Sequence, residues 1–497
     1  MGQISYSLVD QPWIKLIDGE YVSLKSFFEL DSPPTMGGTP IQRLVLFRLL
    51  LAIVYRACPL ETEDDFEALT IDSMKTSVLR YLEAHRSAFD LWDEQKPFLQ
   101  HPGISSAKPE KELAPGAFMP GVCSGNATLL FDSNCLTSDL SDSDLVYTLL
   151  TLVTFGLGGK KGDKDLVFSP GHKKKSAPAS PALGRGWLHS FPIGDNLYET
   201  LKLNCLSQEI IDDAELEFLS AGVGVPAWED MPTTEVGKDA AEYASSLCGW
   251  LVPVSRFCRL LGRDRLYMTS GVEYPKIDTG ICDLSVSTKT GGTKTQPKMT
   301  AVRANRSLEP WRQLDAVLAF FGGNKKSGCR GLQLAFERRP MFVKGIWCVG
   351  MQVSEQSGEQ YMSGDDDFVE SVFLVPNEWQ GTIFLNEYKE EMLNLDHIRR
   401  VLYSSVMKFY EELKAADVGK SKAERAQATF WTLCSPLGSQ WVQACGKGET
   451  VRLRHEFQKA AWQAYDLVCP KGTSKQLMAY EKCRPIFKFK KLNEVKK

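Results

Sequence analysis

The chain has 497 residues, 43% of them hydrophobic, and a formal net charge of −4. This length exceeds what one core usually holds, so we expect two or three globular domains. No run of eighteen apolar residues occurs, and the start, MGQISYSLVDQPW, lacks the order of a secretory signal, which predicts a cytoplasmic protein without a membrane span. The slightly negative net charge argues against a protein that binds nucleic acid over its whole surface, but it is compatible with a local basic strip.

The thirteen cysteines are scattered from Cys58 to Cys483 without a CxxC pair, and the six histidines show no HxxxH spacing. Zinc sites and disulfide frameworks need closer or more regular spacing than this. The sequence therefore predicts reduced, mostly buried thiols, with neither a metal nor a cofactor.

The beginning of the chain predicts mixed α and β structure. Alternating polar and apolar residues around an Asp-Gly turn predict a β-hairpin that pairs Trp13–Ile17 with Tyr21–Leu24. After a Pro/Gly break, the run IQRLVLFRLLLAIVYRAC is apolar on most faces and predicts a buried helix. Two further helices are expected between residues 60 and 92, the second capped by Asp72 or Ser73.

Residues 141–155, SDSDLVYTLLTLVTF, predict a helix that begins at Asp142 or Ser143 and ends at a C′ glycine, Gly156. The stretch GLGGKKGDK, residues 156–164 and here called the glycine loop, follows it with four glycines and three lysines. Nucleotide-binding Rossmann and Walker loops instead follow a strand and open a helix, and neither of their motifs fits. A nucleotide-dependent enzyme that uses this loop is therefore the alternative function, and nucleic-acid binding is favoured.

Residues 160–185 hold seven Lys or Arg against two Asp, within a segment rich in Ser, Pro and Gly that includes the tract HKKK. Such a segment cannot pack a core, so we expect a mobile basic loop. A solvated loop without a ligand is the alternative. A second polar, basic loop is expected at 287–298, STKTGGTKTQPK, and a solvated acidic turn rather than a metal site at Asp365–Asp367.

Strand-like runs such as GWLVPVSRFCRLL and RLYMTSGVEY fill the middle of the chain, and four amphipathic helices with short links follow beyond residue 382. We predict an α+β protein, with a mixed α/β domain over residues 1–382 and an up-and-down four-helix bundle over residues 383–497.

Several motifs in a fixed order resemble one family: LVDQPWI, WDEQKPFLQ, the helix with its glycine loop, GDNLYETLKLNCL, RSLEPWRQ and the C-terminal helices. They are similar to the CasA family, the large subunit of the type I-E CRISPR surveillance complex Cascade, over essentially the whole chain. The resemblance implies a non-enzymatic subunit that recognises the protospacer-adjacent motif of double-stranded DNA through the minor groove and initiates strand separation. It also implies recruitment of a helicase-nuclease, and contacts with the crRNA 5′ handle and with the backbone, 5′-handle and small subunits of Cascade.

The glycine loop is the first element that the resemblance assigns to DNA. Gly156, Gly158 and Gly159 match the family's loop against the minor groove, where a main chain without Cβ atoms approaches closely. Lys160 and Lys161 are expected to neutralise the flanking phosphates. Because the minor groove separates mainly A·T from G·C, such a reader should accept several related motifs.

A glutamine-tipped hairpin that wedges beneath the motif is the second element, and GMQVSEQSGEQ, residues 350–360, resembles it. Gln356 is the expected tip, with Gln352 or Gln360 in its place if the register shifts, and an ordinary turn residue as the alternative. The family's minor-groove lysine has no clear counterpart. Arg263 or Arg265 would have to substitute for it, which leaves the recognised DNA motif undetermined.

Two further contacts follow from the same resemblance. The segment NATLLFDSN resembles the part of the family that docks on the crRNA 5′ handle and a neighbouring subunit, with Leu129, Leu130 and Phe131 as the match. Burial of these three residues within this chain is an equally open explanation. Lys173, Lys174 and Lys175 are expected to contact DNA without sequence preference, whereas a scaffold that merely joins other subunits would not need them.

Overall fold

The computed structural model describes residues 5–104, 112–114, 140–159, 163, 165–170, 186–213, 216–274, 283–293, 296–323, 327–356, 359–361, 368–374, 381–447 and 449–488. Some predicted features lie outside these ranges: Leu129, Leu130, Phe131, Lys160, Lys161, Lys173, Lys174, Lys175 and the acidic triplet Asp365–Asp367. For Gln356, the backbone is described and the side chain is not.

The described residues contain sixteen α-helices: α1 Leu24–Glu29, α2 Pro40–Ala57, α3 Glu63–Ala68, α4 Ile71–Ala84, α5 Asp142–Phe155, α6 Leu197–Leu203, α7 Gln208–Asp213, α8 Lys238–Ala244, α9 Leu247–Leu251, α10 Leu314–Val317, α11 Arg330–Arg338, α12 Thr382–Glu412, α13 Ala416–Cys434, α14 Gly438–Lys447, α15 Thr450–Val468 and α16 Ser474–Cys483. None of them combines the length and the apolar character that a membrane crossing requires.

Twelve strands accompany these helices in the same ranges: β1 Ile14–Lys15, β2 Tyr21–Val22, β3 Leu188–Ile193, β4 Arg256–Leu260, β5 Leu266–Ser270, β6 Ser287–Thr293, β7 Gln296–Ala301, β8 Gly328–Cys329, β9 Gly345–Met351, β10 Ser354–Gln356, β11 Glu359–Tyr361 and β12 Phe368–Leu374. They form small sheets: the pairs β1-β2, β4-β5 and β10-β11, and two three-stranded sheets ordered β12-β9-β3 and β7-β6-β8. The mixture of helices and small sheets confirms the α+β class.

The chain divides into two compact units. The first comprises Met1–Arg306 and Lys325–Glu370, and the second comprises Ser307–Asn324 and Ser371–Lys497. The second unit therefore includes a segment far upstream of the single boundary that the sequence predicts at residue 382. Trp311 explains this, because its ring stacks on Phe457 at 6.4 Å and meets Trp431 edge-on at 6.2 Å between centroids.

Helix α2 lies in the core of the first unit, as predicted. Thr39 and Gln42 form a capping box at its start, and apolar residues from Leu44 to Val54 are buried around its circumference. The predicted N-terminal hairpin is also present, with Ile14 opposite Val22. Its second strand is shorter than expected, because Ser23 caps α1 and the chain turns helical at Leu24.

Helix α5 begins at Asp142, as predicted, whereas the cap of α4 lies two or three positions before the predicted Asp72 or Ser73. Thr70 caps α4, accepting the backbone N–H of Ser73 at 3.1 Å, and Ser141 caps α5, accepting that of Asp144 at 3.1 Å. In both cases the side chain three residues on bonds back to the cap. In α4 such reciprocal bonding favours the hydroxyl of Thr70 over the predicted caps Asp72 and Ser73, which lie inside the first turn.

The described residues of the segment 287–298, namely 287–293 and 296–298, lie in strands and not in the predicted loop. The segment forms most of the antiparallel pair β6-β7, with Lys289 opposite Thr300 and Thr293 opposite Gln296. Its threonines fit a pleated strand, and cross-strand pairing satisfies a backbone whose polar side chains suggested a loop. The run GWLVPVSRFCRLL also divides, because its first residues close helix α9 and only Arg256–Leu260 forms a strand.

Beyond residue 380, the described part of the second unit forms five helices, α12 to α16, one more than the four predicted. Helix α12 spans 31 residues and buries Leu395, Ile398 and Leu402 along one stripe. The second predicted helix breaks into α13 and α14 at the short 3₁₀ turn Ser435–Leu437. Pro436 explains the break, since proline lacks the N–H that a continuing helix requires and its ring crowds the preceding turn.

Candidate nucleic-acid interface

The glycine loop leaves the C-terminal end of α5 against strand β4. A Cβ atom on residue 156 would lie 2.7 Å from Arg256 Cγ and 2.8 Å from the Leu152 carbonyl oxygen, so the position requires glycine for close approach. Gly156 is the C-cap residue of α5 rather than the predicted C′ residue, and its φ of −55° is not in the left-handed region that favours glycine. Gly156 thus allows the chain to leave the helix directly over the Arg256 side chain.

Arg256 anchors the first part of the loop. Its guanidinium donates a hydrogen bond to the Leu157 carbonyl, and the residue is 2% exposed. Burial lowers the pKa of Arg256 to about 10, so the side chain stays charged at neutral pH. The carbonyl-rich C-terminal end of α5 is a favourable place for a buried cation.

Gly158 is held on both of its peptide groups by one residue. Its N–H donates to Gln360 Oε1 at 2.8 Å, and its carbonyl accepts the Gln360 N–H at 3.2 Å. Both Gly158 and Gly159 are buried, and Gly159 adopts a φ of +111°, which favours glycine. The middle glycines are therefore packed within the chain rather than displayed on its surface.

Asp163 provides the second anchor of the loop, on strand β5. Its N–H donates to the Met268 carbonyl at 2.8 Å, and its carboxylate accepts the Tyr267 hydroxyl. Thr269 Oγ1 lies 2.7 Å from the Asp163 carbonyl oxygen. In the sequence, Lys160, Lys161 and Gly162 therefore lie between the buried Gly159 and the anchored Asp163.

The predicted wedge hairpin is present in the backbone. Strands β10 and β11 pair antiparallel, with Gln356 opposite Glu359 and Glu355 opposite Gln360. Gln356 is therefore the last residue of β10 and is paired with the first residue of β11, and its role as the tip of a wedge stays a prediction. Gln360 is not at the tip, because it is 6% exposed and bonded to Gly158. Gln352 is also placed elsewhere, since its Oε1 accepts the Arg306 N–H at 3.0 Å.

The two arginines proposed to replace the family's lysine lie away from the glycine loop. Arg263 contacts Asp142 at 2.6 Å, at the first residue of α5, whereas Gly156 follows the last residue of that helix. Fourteen helical residues separate the two ends, a distance of about 20 Å. Arg265 pairs with Glu112 at 3.3 Å on the same β4-β5 turn. The substitution of either arginine for the family's minor-groove lysine stays a prediction, and both arginines lie at the end of α5 that is opposite the glycine loop.

The order of helix and loop agrees with the sequence-based argument against a nucleotide cradle. Gly156 follows the C-terminal end of α5, where the helix dipole is negative and disfavours phosphate. The next helix along the described chain, α6, begins only at Leu197. The Gly158 N–H, which a phosphate would need, already donates to Gln360.

Another polar cluster, built around Ser285, is structural rather than catalytic. Ser285 Oγ lies 2.8 Å from His189 Nδ1 and 2.7 Å from Asp283 Oδ1, so the carboxylate contacts the serine and not the imidazole. In a nucleophilic triad the carboxylate bonds to the imidazole, and the imidazole bonds to the serine hydroxyl. Burial, followed by the charge of Arg48, lowers the pKa of His189 to about 3, which leaves it a poor base at neutral pH.

The described cysteines form neither a disulfide nor a metal site. The ten cysteines described there are buried, as predicted, and unpaired. Burial raises the pKa of several thiols, including those of Cys248 and Cys258 to about 12. Among the same residues, no group of three His, Cys, Asp or Glu side chains is arranged to hold a metal ion.

Two functional side chains have roles that the sequence did not indicate. Arg256 was overlooked within GWLVPVSRFCRLL, although a cation inside an apolar strand-like run is a signal for a buried partner. Gln360 was assigned only as an alternative hairpin tip, and its bond to a residue 202 positions earlier has no local signal.

The similarity to known proteins extends over most of the chain. The sequence profile of the family described as CRISPR-associated protein Cse1 matches residues 7–466. The CRISPR-associated protein CasA/Cse1 of Thermus thermophilus is 28% identical over 251 residues, which cover 47% of this chain and 44% of that protein. The matched region thus spans less than half of that relative's length.

Solved structures share the fold over nearly the full chain. Thermobifida fusca Cse1 superposes with a TM-score of 0.70 at 18% identity, covering 96% of this chain and 97% of that one. A chain of a CRISPR RNA-guided surveillance complex superposes with a TM-score of 0.69 at 16% identity, covering 97% and 99%. At these identities the likeness establishes a common architecture.

Proposed function

Because this chain belongs to the CRISPR-associated protein Cse1 family, we propose that it is the non-enzymatic large subunit of a crRNA-guided surveillance complex and recognises the protospacer-adjacent motif of duplex DNA. In this proposal the protein reads the short motif, whereas base pairing with the guide reads the remaining target. The chain would then initiate strand separation next to the motif and help to recruit a helicase-nuclease.

The observation that carries this proposal is the doubly anchored glycine loop. Arg256 holds its first part and Tyr267 its last part, and the consecutive lysines 160 and 161 lie between them in sequence. Fixed ends reduce the conformational entropy that the lysines lose when they bind phosphates. We assign phosphate contact beside the minor groove to Lys160 and Lys161.

The buried glycines refine the part that the loop plays. Gly158 and Gly159 are packed inside the chain, so in this conformation their peptide groups do not offer donors to a base edge. We therefore assign to Gly156, Gly158 and Gly159 the task of shaping the loop. In this proposal Lys160 and Lys161, which follow the glycines, are the residues that approach the groove.

The hairpin supports a role for Gln356 in strand separation. The observation that supports this role is that Gln356 is the last residue of β10 and pairs with Glu359, the first residue of β11. An amide there would stack on or hydrogen-bond to an unpaired base and offset part of the few kcal/mol needed to open a base step. Lys173–Lys175 are proposed to contact DNA without sequence preference, and Leu129–Phe131 to dock on the crRNA 5′ handle and a neighbouring subunit.

Charge reversal in the reconstituted, crRNA-loaded complex tests this function. Lys161→Glu should weaken binding to a target duplex and reduce the slope of log K against log salt by about 0.9, the contribution of one phosphate contact. The control, Lys238→Glu, makes the same charge change on an exposed residue at the start of α8. Equal slopes for the two variants would contradict the assignment of the loop to DNA.

A randomised library of adjacent motifs tests the reading of sequence separately. The complex should enrich a restricted set of motifs that is defined mainly by whether each position holds an A·T or a G·C pair. Complexes that lack this subunit should enrich none. An enrichment that does not depend on the subunit would assign motif recognition to another component.

A further inference from the structure

The glycine loop and the hairpin are joined by a single residue, Gln360. Its Oε1 accepts the Gly158 N–H at 2.8 Å, while its own backbone N–H donates to the Gly158 carbonyl at 3.2 Å. Gln360 is 6% exposed and Gly158 is buried, so water competes poorly for either bond. Residues 202 positions apart in the sequence thus satisfy each other's polar groups.

The hairpin register explains why Gln360 faces the loop. In an antiparallel ladder, hydrogen-bonded and non-hydrogen-bonded pairs alternate. The Gln360 N–H bonds to Gly158, so the pair Glu355–Gln360 is of the non-hydrogen-bonded kind and the peptide groups of Gln360 point away from β10. Strand β11 therefore has β10 on one edge and the glycine loop on the other.

We propose that Gln360 is a positioning residue that couples the glycine loop to the wedge hairpin, so that engagement of the motif by the loop positions the hairpin for strand opening. The inference rests on the proposed function and adds to it the device by which one step leads to the other. Gln356 and Gln360 belong to the same antiparallel strand pair, and Gln356 pairs with the residue next to Gln360. A loop seated on the motif would thus place the tip at the adjacent base pair.

The coupling separates Gln360 from Gln356 in a measurable way. A tip residue acts after the motif is bound, so its loss should impair strand opening alone. A residue that holds loop and hairpin together should affect both the affinity for the motif and the opening. A merely structural glutamine should affect neither beyond its general effect on folding.

Hydrogen exchange on the free chain tests the physical link without DNA. Gln360→Met keeps the length of the side chain and removes the acceptor, so the amide of Gly158 should exchange at least about tenfold faster, as expected for one lost buried hydrogen bond. Gln360→Glu keeps an acceptor oxygen and should restore protection. The matched control is Gln100→Met, because Gln100 Oε1 is also buried and accepts the Leu260 N–H at 2.8 Å.

Strand opening and binding are then measured in the reconstituted, crRNA-loaded complex. A 2-aminopurine at the first target base pair reports opening, and titration with duplexes that do or do not carry the motif reports affinity. Gln360→Met should lower motif-dependent affinity and opening together, each by about tenfold. Gln356→Ala should lower opening only, and Gln100→Met should change neither.

Each outcome decides the inference. Unchanged exchange at Gly158 in Gln360→Met would overturn the physical link, whatever the DNA measurements show. Faster exchange with unaltered affinity and opening would overturn the functional coupling, and the Lys161→Glu salt slope would still report independently on the proposed function. Faster exchange with joint loss of affinity and opening, reversed in Gln360→Glu, is the expected result.

Discussion

Arg256 occupies the space that a side chain on residue 156 would need, since its Cγ lies 2.7 Å from the ideal Cβ position there. The Leu152 carbonyl oxygen, at 2.8 Å, closes the other side. The glycine at the end of α5 and the buried arginine of β4 are therefore complementary in shape, and a side chain at residue 156 would require Arg256 or the end of α5 to move.

Gly156→Ala should therefore destabilise the first unit. The methyl group would displace Arg256 or the end of α5, at an overpacking cost of about 1–3 kcal/mol in the free energy of unfolding. Gly262→Ala is the control, because its Cβ would approach only the flexible Asp264 carboxylate at 3.1 Å. Denaturant titration of both variants measures the difference, and equal stability would contradict the close packing.

Tyr267→Phe should loosen the second anchor of the loop. It removes the hydroxyl that donates to the buried Asp163 carboxylate, a bond worth about 1.5–3 kcal/mol when the acceptor is charged. In Tyr243→Phe, the lost bond is to the neutral carbonyl of Val252 at 2.8 Å, so a smaller loss of about 1 kcal/mol is expected. The prediction fails if denaturant unfolding shows Tyr267→Phe to be no more costly than Tyr243→Phe.

The buried His189 predicts a loss of stability on acidification. Burial, followed by the neighbouring Arg48 charge, lowers its folded-state pKa to about 3, whereas the unfolded chain titrates near 6.5. Between these values the unfolded state binds the proton and the folded state does not, so stability falls as the pH drops from about 6.5 toward 3. At pH 5 the loss relative to pH 8 is about 2 kcal/mol.

His189→Asn isolates that contribution, since asparagine is able to keep a hydrogen bond to Ser285 without titrating. The free energy of unfolding, measured at pH 8 and pH 5, should fall less in the variant than in the wild type by about 2 kcal/mol. Asp283 does not contribute in this window. Although burial acts to raise its pKa, the charge of Arg48 and the bonds from Ser285 lower the pKa below its usual value. Identical pH dependence in both proteins would show that His189 is not the responsible group.

A buried ion pair gives the second unit its own test. Arg454 Nε donates to Glu391 Oε2 at 2.8 Å, and Glu391 is 2% exposed. Arg454→Met leaves that carboxylate without its cation and should cost about 3–5 kcal/mol in the free energy of unfolding. The double change Arg454→Met with Glu391→Leu should recover most of the loss, because no isolated charge remains buried.

Arg400→Met is the exposed counterpart. Arg400 is 61% exposed and contacts Asp396 at 2.9 Å, so its loss should cost less than about 1 kcal/mol. Thermal or denaturant unfolding followed on the helical signal compares the variants. An Arg454→Met effect as small as that of Arg400→Met would mean that Glu391 finds compensation elsewhere.

Local pattern alone was enough to predict the elements that carry the site. The apolar run of α2, the helix over residues 142–155 and the N-terminal hairpin depend on periodicity, caps and turn residues that are neighbours in the sequence. The hairpin that carries Gln356 was instead predicted from the resemblance of GMQVSEQSGEQ to a family element, and the paired strands β10 and β11 agree with a hairpin there. The order of motifs in the sequence was likewise sufficient to indicate the Cse1 family, which the profile match establishes.

Tertiary structure alone decided which of these elements meet. Gly158 contacts Gln360 because β11 leaves one edge unpaired, and Arg256 fills the space above Gly156 because β4 packs beside α5. Arg263, close to Arg256 in the sequence, lies about 20 Å from the loop, since the intervening strand runs the length of the helix. Such contacts depend on the packing of segments that are distant in the sequence. The residue types and spacings within one short segment therefore do not predict them.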